Sequence, residues 1–571
     1  MNRNLALALA LCAAAPAAAQ TPPDTFRLGE IVVTATRTPQ PRAAVPAHVT
    51  VLDGAALRAR GIARVADALR DAGAGSMAQG GAPGAAASLF LRGGESDYVQ
   101  VLIDGVQVNE PGGSYDWAHL STADVERIEI VRGPVSVLYG SDAVAGVVQI
   151  FTRTGAGPVR LDAELGAATG GRVGPEASGS FASWDGALSL GGASRVAGRP
   201  LGWTLLAARQ WSGGAYAYNN EYGNSTLSAR GRYGLGPGTV IALNGRYIDQ
   251  RFHYPTDGAG RLVDRNRFTD GTAHTLSVAL EQRLTPALHA LLTLASYRNQ
   301  TGGDDPADEP EQGFSRSSAR VRRDAVELRL DAALARQFVL SVGGELEEQH
   351  GRTWFESDGP FGPYRDRSSA ERGNRAAYAQ LVGRVARLTL TGGTRIDHSD
   401  QFGDFATGRI GVTADLGSGL AGHAAWGTGF KEPTFFETYA TGFARGNPAL
   451  TPERSRSGEL GLRLTAGPLR LGATAFDQRF RNLIQYTAAP PSADAPNYFN
   501  VGAARARGLE ADASVRGEHI QLAASYTLLD TEVLDHGFGT DPQFQAGATL
   551  LRRPAHQGVI GIDWTGLPRL T

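Results

Sequence analysis

The feature that most constrains this chain is a strict two-residue alternation that begins near Gly155 and recurs along the rest of the sequence. In AVELRLDA, Val326, Leu328 and Leu330 fall on one face of an extended strand, and Glu327, Arg329 and Asp331 fall on the other. FVLSVGGELEE sets Phe338, Leu340, Val342 and Leu346 against Ser341, Glu345 and Glu347. ELGLRLT sets Leu460, Leu462 and Leu464 against Glu459 and Arg463, and TVIALNGRY sets Ile241, Leu243 and Tyr247 against Asn244 and Arg246. A soluble sandwich also alternates, but it seldom needs such length. The connectors decide between the two. Short ones such as GLGPG and AGP alternate with long polar ones such as RFHYPTDGAGRLVDRNRFTDG and GGDDPADEPEQG. Short turns at one end and long loops at the other are the pattern of a transmembrane barrel, with the apolar face in lipid and the charged face lining the lumen.

The N-terminus agrees with export. Arg3, the apolar stretch Leu5 to Ala15, and Ala17-Ala18-Ala19 read as a secretory signal peptide over residues 1–19. Cys12 is the sole cysteine. A chain cleaved after Ala19 therefore has no disulfide, as suits a barrel closed by its own backbone hydrogen bonds. After the leader no apolar run is long enough for a spanning helix. The net charge of −2 argues against a nucleic-acid partner. The 11 His are scattered, and no Ser-His-Asp, zinc or phosphate-loop spacing occurs, so no catalytic residue is expected and the chain does not read as an enzyme.

Between about Thr50 and Arg153 the pattern is mixed. Asp53 caps an expected helix running through Asp71, with Ile62, Val65, Ala66 and Leu69 on one face. Short strands follow in SLFLRGG, YVQVLIDGVQVN, VERIEIVRGP and AGVVQIFTR, with Asp104-Gly105 marking a tight hairpin. A domain of this size suits the lumen of a plugged barrel of about 22 strands. Ahead of it, EIVVTAT has strand-forming residues with nothing nearby to pair with, followed by Pro39, Pro41 and Pro46. Such a peptide can add an edge strand to a partner's sheet, and the prolines are expected to keep it from folding into the neighbouring domain.

Taken together, LRGGESDYVQVLIDGVQVN, VERIEIVRGPVSVLYGSDAVAGVVQIFTR, GTGFKEPTFFE, GNPALTPERS and ARARGLEA resemble the TonB-dependent outer-membrane receptors. The resemblance implies an all-β transmembrane barrel, about 22 antiparallel strands in the family, with an N-terminal α+β plug inside the lumen. It implies a chain divided into the signal peptide (1–19), a TonB box and linker (20–46), the plug (47–153) and the barrel (154–571). It also implies a monomer in the outer membrane of a Gram-negative bacterium, inserted by the barrel assembly machinery into outer-membrane lipid. The TonB box matches Glu30, Ile31, Val32, Val33, Thr34, Ala35 and Thr36. Its partner is TonB, energised through ExbB–ExbD by the inner-membrane proton gradient. In the family, plug arginines meet two glutamates on the lumen wall; by motif these are Arg92 and Arg132 with Glu459 and Glu510.

The run YGSDAVAGVVQI and the short barrel most resemble cobalamin (vitamin B12) receptors of the BtuB type; the alternative cargo is a ferric siderophore. A passive porin needs neither box nor plug and is disfavoured. Plug-apex loops around Gly80 to Ala87 and Gly112 to Trp117 are expected to meet the cargo, with Tyr115 and Trp117 as stacking candidates. Cobalamin receptors of this group bind Ca²⁺ through acidic outer loops. Asp249, Asp257 and Asp264, and Asp304, Asp305, Asp308 and Glu309, offer the oxygen ligands Ca²⁺ requires, but in no ligand spacing; no metal or other cofactor is assigned. Roughly 17 or 18 strands are legible. The sequence stops at RLT, short of the terminal aromatic strand usual in the family, which reads as a C-terminal truncation.

Overall fold

The computed structural model describes residues 31–32, 34–81, 83–174, 177–256, 261–308, 313–359, 362–442, 444–490, 492, 494–535 and 545–564. The leader, Glu30, Val33, Asp257 and Glu309 lie outside the described residues.

Among the described residues the period-two segments form one antiparallel sheet of 18 strands. They lie in sequence order from Arg160–Gly171 to His556–Trp564. Each strand pairs with the next, so every connection is a hairpin, and alternation alone sets which face each residue occupies. Leu328, Leu346, Leu460 and Leu462 all project outward; Leu460 is 67% exposed and Leu346 59%. Glu327, Glu345, Glu459, Arg463 and Arg246 point into the lumen, where they meet other polar groups. Exposed leucines beside buried charges invert a soluble protein's pattern and require lipid outside. Among the described residues no helix is long and apolar enough to cross a membrane.

One end of the sheet carries two-residue turns such as Ala197-Gly198 and Ser418-Gly419, whose residues all have positive φ. This primed geometry matches the strand twist. The other end carries long connections, including 254–267 and 432–452, the second with a helix at Phe435–Tyr439. The short-turn end is periplasmic in such barrels. Among the described residues no ladder joins the first strand to the last.

Among the described residues the mixed region folds into a two-stranded pairing of Ser76–Gln79 with Ala87–Phe90 and, beside it, a five-stranded sheet. Its order is Val49–Asp53, Val125–Arg132, Gly146–Thr152, Val99–Ile103 and Val106–Gln107. Only the pairing of Val99–Ile103 with Gly146–Thr152 is parallel. Asp104 and Gly105, at φ 49° and 84°, make the expected tight turn. The single helix expected from Asp53 to Asp71 is instead two, Gly54–Ala59 and Val65–Asp71. Asp53 does cap the first, accepting from the Ala56 amide at 2.9 Å. Gly61, at φ 67°, ends that helix, and the Ile62 amide turns back to the Leu57 carbonyl.

This domain sits inside the barrel. Lumen side chains from widely separated strands donate to its backbone: Gln210 to Ala63, Asn224 to His119, Arg323 to Asn109, Arg409 to Pro134, and Gln478 to Val144. A core of Leu69, Leu89, Leu91, Val101, Ile128, Ile130 and Ile150 holds the plug together. Wall residues Phe476 and Phe480 pack onto it.

Candidate coupling and cargo sites

The structure brings together the four charged residues picked out by motif. Arg92 Nη1 lies 2.5 Å from Glu459 Oε2, and Arg92 Nη2 lies 2.7 Å from Glu510 Oε2. Arg132 Nε lies 3.2 Å from Glu510 Oε1. Arg132 ends the plug strand Val125–Arg132 and Arg92 lies two residues beyond Ala87–Phe90, whereas Glu459 and Glu510 occupy the lumen phase of Glu453–Ala466 and Tyr498–Arg516. Two guanidinium groups thus face two carboxylates in a buried, charge-balanced cluster. Burial alone would depress the Arg92 pKa; the carboxylates of Glu510 and Glu459 outweigh it and raise the value. His48 stands 3.4 Å from Glu510, and burial, aided by Arg132, lowers it well below the usual imidazole range. It is therefore neutral near pH 7 and adds no third cation.

Arg92 also has a left-handed backbone, φ 45°. An arginine adopts this region at a cost, so the surrounding contacts must hold it there. Beyond the two carboxylates, its guanidinium lies 4.7 Å from the centre of the Phe476 ring. The next residue, Gly93, has φ 77°, and a Cβ there would fall 2.5 Å from the Ala506 Cβ on the wall.

The segment expected to hang free is folded in. Ile31–Val32 pairs with Gln40–Pro41, and Val32, Thr34, Ala35 and Thr36 are all buried. The Thr34 amide and hydroxyl donate to Glu129 Oε2 at 2.9 and 2.7 Å, and the Tyr139 hydroxyl donates to the Thr34 carbonyl at 2.9 Å. Gln380 of the wall donates to the Thr36 carbonyl at 2.8 Å. Arg37 pairs with Glu327 and lies over Tyr139. The expectation that the prolines keep this segment out of the plug is therefore corrected. Pro41 ends the returning strand, and the segment is held to the plug sheet at Glu129, a buried carboxylate that accepts from Thr34 through one oxygen and from Arg127 Nε at 2.8 Å through the other.

At the opposite, long-loop end, Gly112 packs against the Glu432 and Pro433 backbone, and Gly84 packs against Tyr222 and Phe252. Both apex loops therefore reach the outer mouth. Trp117 is 1% exposed and belongs to the plug core, with Tyr115 edge-on at 5.2 Å between ring centres. Trp117 thus presents no free face to a cargo, which corrects its expected stacking role; Tyr115 stays partly exposed above it. Three of the described acidic loop groups are engaged within the protein: Asp304 with Arg316, Asp308 with the Arg265 amide, and Asp264 with Asn219 and two backbone amides.

Sequence reasoning missed a second buried cluster. Lys431, the sole lysine, reads in composition as codon bias, yet it is 0% exposed. Its Nζ lies 2.9 Å from Glu453, 3.2 Å from Asp97 of the plug and 3.8 Å from Glu437. The available signal was its uniqueness: one lysine among so many arginines marks a site where a compact, rotatable ammonium serves several acceptors.

A barrel plugged by an N-terminal α+β domain, with a short N-terminal segment beneath it at the periplasmic end, defines a class of outer-membrane receptor. The family described as "TonB dependent receptor-like, beta-barrel" matches residues 186–570, and "TonB-dependent Receptor Plug Domain" matches residues 41–147. The chain belongs to the TonB-dependent receptors of the Gram-negative outer membrane, a family of transporters and receptors rather than enzymes. Solved structures share the fold. The ferric citrate transporter FecA in its unliganded form has TM-score 0.74 and 17% identity over 92% of this chain and 83% of that one. The ferric yersiniabactin uptake receptor FyuA from Yersinia pestis gives 0.73 and 17% over 92% and 84%. A point mutant of the ferric enterobactin receptor PfeA from Pseudomonas aeruginosa, with enterobactin bound, gives 0.72 and 17% over 91% and 85%.

Proposed function

We propose that this chain imports a ferric siderophore across the outer membrane by TonB-dependent active transport. The observation that carries the reading is the attachment of Thr34 to Glu129 of the plug sheet. A pull on residues 30–36 would act directly on the plug through Thr34, and would also draw on the wall through the Gln380 contact to the Thr36 carbonyl. TonB, driven through ExbB–ExbD, takes up Glu30 to Thr36 as an added edge strand. Arg92, Arg132, Glu459 and Glu510 form the lock that reseats the plug after each cycle, since ion pairs re-form where an interlocked apolar surface would have to be repacked. Cargo settles on the apex loops at the outer mouth, with Tyr115 in contact and Trp117 supporting it from below.

The cargo class follows from the structural relatives, which are named for ferric citrate, ferric yersiniabactin and ferric enterobactin. The likeness of Tyr139 to Ile150 to cobalamin receptors rests on plug sequence, which siderophore receptors largely share, so the siderophore reading displaces cobalamin as the lead. The test is equilibrium binding of a panel of ferric siderophores and of cyanocobalamin to the refolded receptor. Saturable binding of one ferric siderophore with none of cyanocobalamin is expected; the opposite result would assign the chain to cobalamin.

A further inference from the structure

The chain that joins the N-terminal segment to the plug is gripped by the barrel wall. Residues 31–41 make a closed loop, with Ile31 opposite Pro41 and Val32 opposite Gln40. The loop therefore begins and ends at neighbouring points, about 5 Å apart. The chain beyond it turns tightly through Arg42–Ala44, with the Val45 amide on the Arg42 carbonyl and the Ala47 amide on the Val45 carbonyl. Val45 and Ala47 are buried in the plug cluster that contains Val49, Val131 and Val135.

The carbonyls of this turn go to the wall. Arg463, on the strand Glu453–Ala466, donates from Nη1 to the Arg42 carbonyl at 2.7 Å. Its Nη2 donates to the carbonyls of Val45 at 2.7 Å and Ala47 at 3.0 Å. Arg409, on the strand Gly403–Gly417, donates to the Pro46 carbonyl at 3.1 Å and to the Pro134 carbonyl of the plug at 3.2 Å. Four carbonyls of the connecting chain are thus held by two guanidinium groups, and bonds from a charged donor are roughly twice as strong as neutral ones. The wall is also shaped for the turn. Gly411 shares the lumen face with Arg409, and a Cβ there would fall 2.7 Å from the Pro46 Cγ. Arg463 differs from Arg409 in giving all three of these bonds to residues 42–47 and none to the plug proper.

We propose that Arg463, with Arg409, is a mechanical stop. A pull on residues 30–36 unwinds the loop 31–41, and the load then passes to the barrel wall at residues 42–47 before it reaches the plug strand Val49–Asp53. The proposal rests on the reading of residues 30–36 as the segment that is pulled. From Ile31 to Pro41 the unwound chain lengthens by about 30 Å, at about 3.3–3.6 Å per residue less the starting separation. Once Thr34 has left Glu129, the plug is loaded again only when the clamp yields. Arg463 is a positioning residue, since it acts through the connecting chain.

Single-molecule force spectroscopy of the refolded receptor in a bilayer, pulled from a handle ahead of Ile31, tests the proposal. The wild-type trace should show a first extension of about 30 Å and then a distinct rupture before the plug unfolds. Arg463→Gln should lose that rupture, so that the first extension runs straight into plug unfolding. A spin label reads the clamp without force, and labelling is selective because Cys12, the sole cysteine, lies in the leader. A label on Ala43→Cys, an exposed position in the turn, should be immobile with Arg463 present and mobile in Arg463→Gln. A label on Ala55→Cys, exposed on the plug helix Gly54–Ala59, should be the same in both. Gly411→Ala keeps both arginines but crowds Pro46, and should also free the Ala43 label. Heat-modifiable migration on gels checks that each variant forms a barrel. An unchanged rupture in Arg463→Gln, or an Ala43 label that stays immobile in it, would overturn the stop. Neither measurement uses TonB or cargo, so failure of residues 30–36 to bind TonB would sink the coupling reading and leave the clamp result standing.

Discussion

Arg92 of the plug donates twice to one oxygen of Glu510 on the barrel wall, from Nε at 3.1 Å and from Nη2 at 2.7 Å, across 418 residues of sequence. The pair is buried, so each charge depends on the other for its solvation. Arg92→Ala should weaken seating of the plug by about 3–5 kcal/mol, the usual cost of stranding a buried charge. Urea-dependent proteolysis of the plug within the intact barrel measures this. A double-mutant cycle with Glu510→Gln should return a coupling energy; additive losses would mean that the two side chains do not act as a pair.

Thr34 offers a second test. Thr34→Val keeps the amide bond to Glu129 but removes the hydroxyl donor at 2.7 Å. Glu129 is fully buried, so the loss should cost about 1–3 kcal/mol. Amides 34–38 should exchange with solvent faster in the variant, while the plug core strands should exchange as before.

Coupling can be separated from binding at Val33. Val33→Pro removes a backbone donor from the segment that would join a partner's sheet. Uptake should fall to background with cargo affinity unchanged, as measured by uptake of the radiolabelled cargo and equilibrium binding on the same preparation. Normal uptake would show that residues 30–36 are not the coupling strand.

Asp142 gives a pH dependence. Burial raises its pKa from 3.8 to about 6, with Arg323 only partly offsetting. A raised acid pKa means that the folded state holds the proton more tightly than the unfolded chain. The contribution is therefore full below pH 4, is lost as pH rises toward 6, and amounts to about 3 kcal/mol. Asp142→Asn should flatten the fall in thermal stability between pH 4 and pH 7; an unchanged profile would assign the titration elsewhere.

Lys431 should be intolerant of neutral replacement. Lys431→Met leaves Asp97, Glu437 and Glu453 around a vanished cation, at a cost of about 3–5 kcal/mol. Barrel stability, read as the temperature of heat-modifiable unfolding, should drop, and low pH should restore part of it by protonating the carboxylates.

The sequence alone determined the barrel, its inside and its outside. Strand side chains alternate with period two and hairpins keep neighbours in order, so the faces of Val326 and Glu327 were settled locally. The hairpin at Asp104-Gly105 and the cap at Asp53 were equally local. Arg92, Arg132, Glu459 and Glu510 could be singled out by motif, though their distances could not. What only the tertiary structure decided are contacts between residues far apart in the chain: Thr34 with Glu129, Lys431 with Asp97, and Trp117 with the plug core. The physical reason is that a buried polar group takes whichever partner the closed lumen brings within about 3 Å, and no local pattern records that choice.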